Sequence, residues 1–208
     1  MSIAARSSPR TSLITRTTCR ICGSRELAPV LSLGDQRIAG AFADPGGDQP
    51  VERAIPLELV RCDMTKDQEA CGLIQTKHTV PGSILYSSYW YRSGVNRTMT
   101  ENLHGIARGV ESIVALESGD LVIDIGCNDG TLLDGYQTEG LRHLGFDPSD
   151  VASYAIAKGY DVVNDFYSAE AVQRHRPDQK AKAVTSIAMF YDLEYPRSFV
   201  ADVAGVLA

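Results

Sequence analysis

The stretch that decides the fold is LVIDIGCNDGT, residues 121–131. Its first five residues are apolar apart from Asp124, which is typical of a buried strand. The strand runs directly into a glycine turn, and a ligand can approach the backbone of Gly126 closely because this residue has no Cβ. Where the turn enters the next segment, free N–H groups are expected, and Asn128 and Asp129 can bond polar groups of a ligand. The sequence therefore predicts a ligand site at the carboxyl end of this strand.

Strands and helices alternate from residue 119 onward. Strand-like runs occur at LVIDIG, RHLGFDPS, YDVVNDFY and AKAVTSIAMFY, and helical segments follow them at TLLDGYQTEG, DVASYAIAKG, SAEAVQRHR and PRSFVADVAGVLA. Ser168 is expected to cap the third of these helices, and Pro196 is expected to open the last one. Repeated strand–helix units predict a parallel sheet with right-handed crossovers. The predicted fold class is therefore α/β, a Rossmann-like parallel sheet preceded by a small N-terminal module.

A second carboxylate follows the second strand. Asp147 lies in GFDPSD, about 20 residues after the glycine turn, where a carboxylate can accept the hydroxyls of a ribose, and Pro148 fixes the backbone beside it. A dinucleotide site would read G-x-G-x-x-G, but the turn GCNDG lacks the middle glycine and carries Asp129 where pyrophosphate would lie. Because this acid would repel pyrophosphate and attract a sulfonium, the sequence favours S-adenosylmethionine over NAD. The alternative is that Asp147 caps a strand end and Asp129 caps a helix.

Four of the five cysteines lie in the N-terminal part of the chain. Cys19 and Cys22 form the turn CRICG, and Cys62 and Cys71 follow after strand-like runs. Four thiolates suit tetrahedral zinc. A module with so few core residues needs an additional stabilising element, such as a bound metal. The second pair is separated by DMTKDQEA, so this segment must loop out while both cysteines return. Two alternatives stay open, four buried free thiols and a site in which His78 replaces one ligand.

Differences in composition and sequence pattern divide the chain into four parts. Residues 1–17 read as a disordered tail, 18–79 as the zinc-binding module, 80–117 as a linker with a covering helix, and 118–208 as the cofactor-binding domain. The covering helix carries an apolar stripe at helical spacing, formed by Met99, Leu103, Ile106 and Val110.

Composition excludes some classes of partner. The chain has 208 residues and a net charge of −6, which argues against a nucleic-acid partner bound by general phosphate attraction. No apolar run reaches the roughly 18 residues of a membrane helix, so no membrane partner is expected. An odd number of cysteines without a secretion signal fits a reducing compartment, and we expect a cytoplasmic protein.

The order of the motifs is that of a known family. CRICG, LSLGDQRIAGAF, CGLIQ, LYSSYWYRSG, LVIDIGCNDGTLL and AMFYDLEYP follow one another, and in this the chain resembles the nucleotide-sugar C-methyltransferases of bacterial deoxysugar pathways. The resemblance implies a zinc-binding domain joined to an S-adenosylmethionine-dependent methyltransferase domain. The metal ligands that it implies are Cys19, Cys22, Cys62 and Cys71, and the cofactor contacts are Gly126, Asn128, Asp129 and Asp147.

The same resemblance implies further contacts and a substrate. Asp165 and Phe166 are expected beside the adenine and Ala188 and Met189, at the end of the fourth strand, near the sulfonium, while Tyr91 and Ser93 close over the cofactor. The substrate implied is a keto-deoxysugar carried on a nucleotide. Two other readings stay open: an NAD-type or other Rossmann enzyme, and a non-catalytic zinc-containing interaction module.

The resemblance also implies strands and a histidine- and tyrosine-rich segment beyond residue 208, which would supply the catalytic base. We therefore expect a truncated chain that lacks its catalytic base, with no catalytic residue assigned. The alternative is a naturally short protein that needs a partner chain. Strand 183–189 would have an open apolar edge, which self-association or a partner chain would cover.

Overall fold

The computed structural model describes residues 13–38, 54–86 and 89–208. The chain divides between Leu85 and Tyr86 into two compact units. Within the described ranges, no helix is long and apolar enough to cross a membrane.

The first unit is built from short antiparallel strands. Its elements are β1 (Ile14–Thr15), β2 (Leu27–Arg37), β3 (Ala54–Cys62), β4 (Ile74–Thr76), β5 (His78–Thr79) and the one-turn helix α1 (Gly82–Leu85). The strands β2, β3 and β4 form one sheet in this order, and β1 pairs with β5. Ile14 and Thr15 are thus held by backbone pairing, which departs from the predicted tail; residues 1–12 of that tail lie outside the described residues.

The second unit is an α/β layer structure around one parallel sheet. Its elements are α2 (Arg97–Ile113), β6 (Leu121–Ile125), β7 (Arg142–Phe146), α3 (Ala152–Ala157), β8 (Val162–Val163), α4 (Ala169–His175), β9 (Ala181–Ser186) and α5 (Pro196–Val206). The strand order is β8-β7-β6-β9, and every neighbouring pair is parallel. The predicted Rossmann-like fold class is therefore confirmed.

Strand β6 lies at the centre of the core, and all five of its residues are buried. Leu121, Ile123 and Ile125 pack with residues of α4 and α5 on one face of the sheet. Val122 packs on the other face, with Val110 of α2 in the same cluster. Because helices cover both faces, the strand is an almost continuous apolar run.

The predicted helix caps are present. Oγ of Ser168 accepts a hydrogen bond from the backbone N–H of Ala171 (3.1 Å) at the start of α4. Pro196 is the first residue of α5, where its missing N–H leaves no helical hydrogen bond unmade. The predicted apolar stripe of α2 also faces the interior, with Leu103 buried and Met99 packed against it.

The helix predicted over residues 131–140 is wrong. The segment contains only a 3-10 turn, Leu133–Gly135. A Cβ at Gly135 would lie 2.7 Å from Cα of His104, so α2 packs directly on this residue. The carboxylate of Glu111 in α2 accepts hydrogen bonds from the backbone N–H of Gln137 (2.9 Å) and Thr138 (2.8 Å). The covering helix α2 therefore stabilises the segment in place of a helix of its own, and glycine lowers the helix propensity further.

The fourth strand of the sheet is also shorter than predicted. Strand β9 ends at Ser186, so Ala188 and Met189 lie in the following loop and not at the end of the strand. Ala188 has a φ of 57°, which extended backbone does not allow.

Candidate cofactor site and metal centre

The sheet brings the predicted cofactor residues to one edge. Ile125 pairs with Phe146 on one side and with Ser186 on the other, so the carboxyl ends of β6, β7 and β9 are level. The chain order reverses between β6 and β9, which is the switch point where open parallel sheets bind ligands. The glycine turn leaves β6 at this point.

The glycine turn is held tightly against the end of β7. The N–H groups of Gly126 (2.8 Å) and Cys127 (3.0 Å) both donate to the carbonyl of Phe146. Gly126 has a φ of 75°, in the region that favours glycine, and a Cβ there would lie 3.4 Å from Cγ of Met189. The structure therefore brings together Gly126 and Met189, which come from opposite sides of the switch point.

Asp147 binds the glycine turn and its own turn at once. Its Oδ2 accepts from the backbone N–H of Asn128 (2.8 Å), and its Oδ1 accepts from N–H (2.9 Å) and Oγ (2.5 Å) of Ser149. The side chain is thus a cap of the kind that the alternative interpretation described. Since each carboxylate oxygen can accept two hydrogen bonds, Oδ2 retains one acceptor position.

The turn is surrounded by buried negative charge. Asp124, Asp129 and Asp147 are all buried. Burial, and then the charges of these three carboxylates, raise the pKa of the Cys127 thiol. Burial also raises the pKa of Asp124 to about 7, with the charge of Asp147 adding to it and the hydrogen bond from Thr185 opposing it.

The side chain of Asn128 contacts the linker that precedes α2. Its Nδ2 donates to the carbonyl of Tyr91 (2.9 Å), and its Oδ1 accepts from the backbone N–H of Ser93 (2.9 Å). The structure thus brings together three residues that the sequence placed at the cofactor. Both functional groups of the Asn128 amide are bonded to the protein.

Asp129 is bonded to the same linker. Its Oδ2 accepts from the backbone N–H of Gly94 (2.9 Å) and lies 3.9 Å from Nε of Arg92. Its Oδ1 accepts from Oγ1 of Thr131 (2.5 Å), and the residue is 1% exposed. Arg92 was not recognised in the sequence, although it lies in the quoted motif LYSSYWYRSG, because its partner is distant along the chain.

The remaining predicted contacts lie in the loops after β7 and β8. Pro148 follows Asp147 directly, and Phe166 is 48% exposed. Oδ1 of Asp165 accepts from the N–H of Phe166 (2.7 Å). Asn164 was missed: its Nδ2 donates to the carbonyls of Asp147 (2.8 Å) and Ser149 (2.7 Å), which ties the two loops together. The only signal for it in the sequence is its position directly after a short strand.

The four cysteines of the first unit form one cluster. Their sulfurs all lie within 4.8 Å of one another, with 3.5 Å between those of Cys19 and Cys71 and between those of Cys22 and Cys62. Tetrahedral zinc with Zn–S bonds of about 2.3 Å places its sulfurs about 3.8 Å apart. The donor set and the spacing fit this metal.

The backbone around the cluster lowers the pKa of Cys19 and Cys22, whereas burial raises the pKa of Cys62 to about 11 and also raises that of Cys71. Burial raises the pKa of Cys19, but hydrogen bonds from the backbone of Cys22 and Ile21 outweigh it and lower the pKa to about 6. The segment between Cys62 and Cys71 loops out and returns, because the N–H of Cys62 donates to the carbonyl of Leu73 (2.9 Å). His78 is absent from this group of candidate ligands within the described part of the chain.

Comparison with protein families gives two matches. Residues 91–208 match a family described as "Methyltransferase domain", and residues 19–86 match one described as "Putative zinc binding domain". These matches confirm the predicted cofactor pair, S-adenosylmethionine for the first and zinc for the second. The alternative of an NAD-type enzyme is therefore set aside.

Individual relatives are more distant. The C-methyltransferase NovU of Streptomyces niveus is 26% identical over 153 residues, which are 73% of this chain and 35% of that protein. The chain thus spans about a third of the length of this relative.

One similar solved structure is a complex between the Haloferax volcanii Trm112 methyltransferase activator and a methyltransferase. The identity is 23% and the TM-score 0.42, and the match covers 55% of this chain and 52% of that one. The plantazolicin methyltransferase BamL, with bound S-adenosylhomocysteine, has 19% identity and a TM-score of 0.40 over 52% and 41%. The family match covers more than half of the chain, and the chain belongs to the methyltransferase-domain family.

Proposed function

We propose that this chain carries the cofactor-binding domain of a C-methyltransferase that acts on a nucleotide-linked keto-deoxysugar. The observation that carries the proposal is the glycine turn at the switch point, with the Asp147 carboxylate at the end of the neighbouring strand. Similarity to the C-methyltransferase NovU supports carbon as the acceptor atom. The order of the sequence motifs supports the sugar nucleotide.

The proposed cofactor contacts are arranged around Gly126. Its lack of a Cβ lets the cofactor lie against the turn, and the open acceptor position of Asp147 Oδ2 binds a ribose hydroxyl. The half-exposed ring of Phe166, beside Asp165, offers a face to the adenine. The other proposed contacts are Pro148 beside the ribose, Ala188 and Met189 beside the sulfur, and Tyr91 and Ser93 in the linker.

When bound at the Gly126 turn, S-adenosylmethionine would supply an electrophilic methyl group for the carbon beside the sugar carbonyl, and its sulfur would leave as the neutral thioether of S-adenosylhomocysteine. The contribution of this chain is to hold and orient that donor. Orientation alone provides a large part of the rate of group transfer. Met189 packs against Gly126 and limits the space at the sulfur end of the site.

In the first unit, we propose that Cys19, Cys22, Cys62 and Cys71 are the zinc ligands. Four thiolates saturate a tetrahedral ion and leave no open position for water, which is the arrangement of a structural site. The bound ion would stabilise a unit whose buried core at the cluster otherwise consists of Cys19, Cys62 and Ala70 with a few partly buried neighbours.

Calorimetric titration of the whole chain with S-adenosylhomocysteine and with NAD tests the cofactor assignment. We expect S-adenosylhomocysteine to bind and NAD to give no heat of binding, because the turn GCNDG lacks the middle glycine that lets pyrophosphate approach the backbone of a dinucleotide site. Binding of NAD without binding of S-adenosylhomocysteine would contradict the proposal.

The acceptor is tested with methyl-¹³C-labelled S-adenosylmethionine and a nucleotide-linked keto-deoxysugar, in the presence of an active methyltransferase that contains this chain. The ¹³C shift of the labelled product separates a methyl on carbon from one on oxygen or nitrogen. A methyl on a heteroatom would contradict the C-methyltransferase assignment and leave the cofactor site intact.

A further inference from the structure

A four-residue segment, Tyr91–Gly94, lies against the glycine turn, and we name it the strap. Asn128 bonds it at two points, through the carbonyl of Tyr91 and the N–H of Ser93. Asn128 itself has a φ of 52°, a left-handed conformation that asparagine tolerates better than most residues. The turn thus presents an amide whose donor and acceptor are both used on the strap.

Groups of the strap also pair with the negative charge of Asp129. Its carboxylate accepts from the N–H of Gly94 and lies 3.9 Å from Nε of Arg92. The guanidinium of Arg92 stacks on the ring of Tyr154, with 3.6 Å between Cζ and the ring centroid. Arg92 is therefore fixed from two sides, and the buried carboxylate has a cation from the protein itself.

The strap fits closely where it meets the turn. A Cβ at Gly94 would lie 2.8 Å from Oγ1 of Thr131 and 2.9 Å from Oδ2 of Asp129. Real Cβ atoms do not approach this closely, so a side chain at residue 94 would force the strap and these two side chains apart and weaken the Gly94–Asp129 hydrogen bond.

We propose that Asn128 and Asp129 are positioning residues, which act through the strap and not on the cofactor. Their side chains hold Tyr91 and Ser93 beside the glycine turn, so that these two residues form one wall of the cofactor site. The carboxylate of Asp129 serves Gly94 and Arg92 and does not pair with the sulfonium of the methyl donor. The inference rests on the proposed function, because the wall has a role only if the cofactor binds at Gly126.

The first test is Asn128→Gly, which removes the amide and keeps the positive φ without strain. In the ligand-free chain we expect the backbone amides of Ser93 and Gly94 to exchange with deuterium about tenfold faster, because two hydrogen bonds are lost. Asn128→Asp, which keeps the acceptor for Ser93, should lie between this variant and the wild type. Exchange at Ser93 and Gly94 that is unchanged in Asn128→Gly would overturn the proposal.

The second test changes the strap side of the contact between the strap and the glycine turn. Gly94→Ala should weaken binding of S-adenosylhomocysteine about tenfold, since displacing the strap costs about as much as the hydrogen bonds that it breaks. Gly109→Ala is the matched control, because nothing lies within 4 Å of a Cβ at this position in α2. Equal affinities of the two variants would contradict the proposal.

The third test separates the strap from direct contact with the sulfonium. S-adenosylmethionine carries a positive sulfur and S-adenosylhomocysteine a neutral one. If Asp129 acts through the strap, Asp129→Asn weakens both ligands by the same factor, and the ratio of their dissociation constants stays unchanged. A selective loss of S-adenosylmethionine affinity would show that the carboxylate faces the sulfonium, and the proposal would be wrong.

These tests stay separate from those of the proposed function. Failure of the wild-type chain to bind S-adenosylhomocysteine would contradict the proposed function, and the amide exchange of the ligand-free variants would still decide whether Asn128 holds the strap.

Discussion

At the scale of the residue, Asp124 is the carboxyl group that the fold perturbs most clearly. It is the last but one residue of β6, is 3% exposed, and accepts a hydrogen bond from Oγ1 of Thr185 (2.7 Å). Burial raises its pKa to about 7. Between pH 4 and 7 the folded chain therefore holds a proton that the unfolded chain has released. The stability from this group is greatest near pH 4, falls as the pH rises to about 7, and then levels off.

Replacing Asp124 with asparagine should remove this pH dependence. We expect Asp124→Asn to gain about 1–3 kcal/mol relative to the wild type between pH 5 and 8, because the buried group can no longer ionise. Urea denaturation followed by circular dichroism at both pH values measures the difference. A stability difference that stays constant over this range would mean that Asp124 does not titrate there.

At the scale of the element, local sequence patterns predicted the strands and the helix caps. The conformation of the segment after the glycine turn depends on tertiary contacts instead. Strand β6 and the caps at Ser168 and Pro196 depend on residues next to one another in sequence. The segment after the glycine turn is not helical, because α2 packs on Gly135 and bonds the following backbone. That contact joins residues that no short sequence window contains.

The packing of α2 on Gly135 gives a direct prediction. Gly135→Ala should destabilise the fold by about 1–3 kcal/mol, because its Cβ would lie 2.7 Å from the backbone of His104, which cannot move aside. Gly109→Ala, in α2 with open space around its Cβ, should instead stabilise it by up to about 1 kcal/mol. Thermal denaturation of the two variants measures both signs. A neutral Gly135→Ala would mean that α2 is not seated on this residue.

The candidate site follows the same division. The glycine turn and Asp147 could be predicted because each lies at a fixed offset from a strand. Arg92 and Asn164 could not, because each acts through a partner that lies far along the chain or carries no motif. The hydrogen-bond partners of Asn128 and Asp129 could likewise not be predicted, because the sequence shows that these side chains are polar but not which groups they contact.

At the scale of the whole molecule, the two units contain different candidate sites. The four clustered thiols lie in the first unit, and the parallel sheet with the proposed cofactor site lies in the second. We expect the purified chain to carry about one zinc ion, and Cys62→Ser to lose it, because three thiolates hold the metal much less tightly. Cys127→Ala, outside the cluster, is the control and should retain the metal. Elemental analysis by mass spectrometry measures the content. Full zinc content in Cys62→Ser would rule out the four-thiolate site.

The central claim is that the methyl donor lies on the Gly126 turn with its ribose bonded to Asp147. Calorimetric titration of S-adenosylhomocysteine into the wild type, Asp147→Asn and Asp120→Asn tests it most directly. Asp120 directly precedes β6, at the opposite end of the sheet from Asp147, which directly follows β7. We predict that Asp147→Asn weakens binding about ten- to a hundredfold, as expected for a hydrogen bond to a charged group, and that Asp120→Asn binds like the wild type. Equal affinity of all three proteins would contradict the claim.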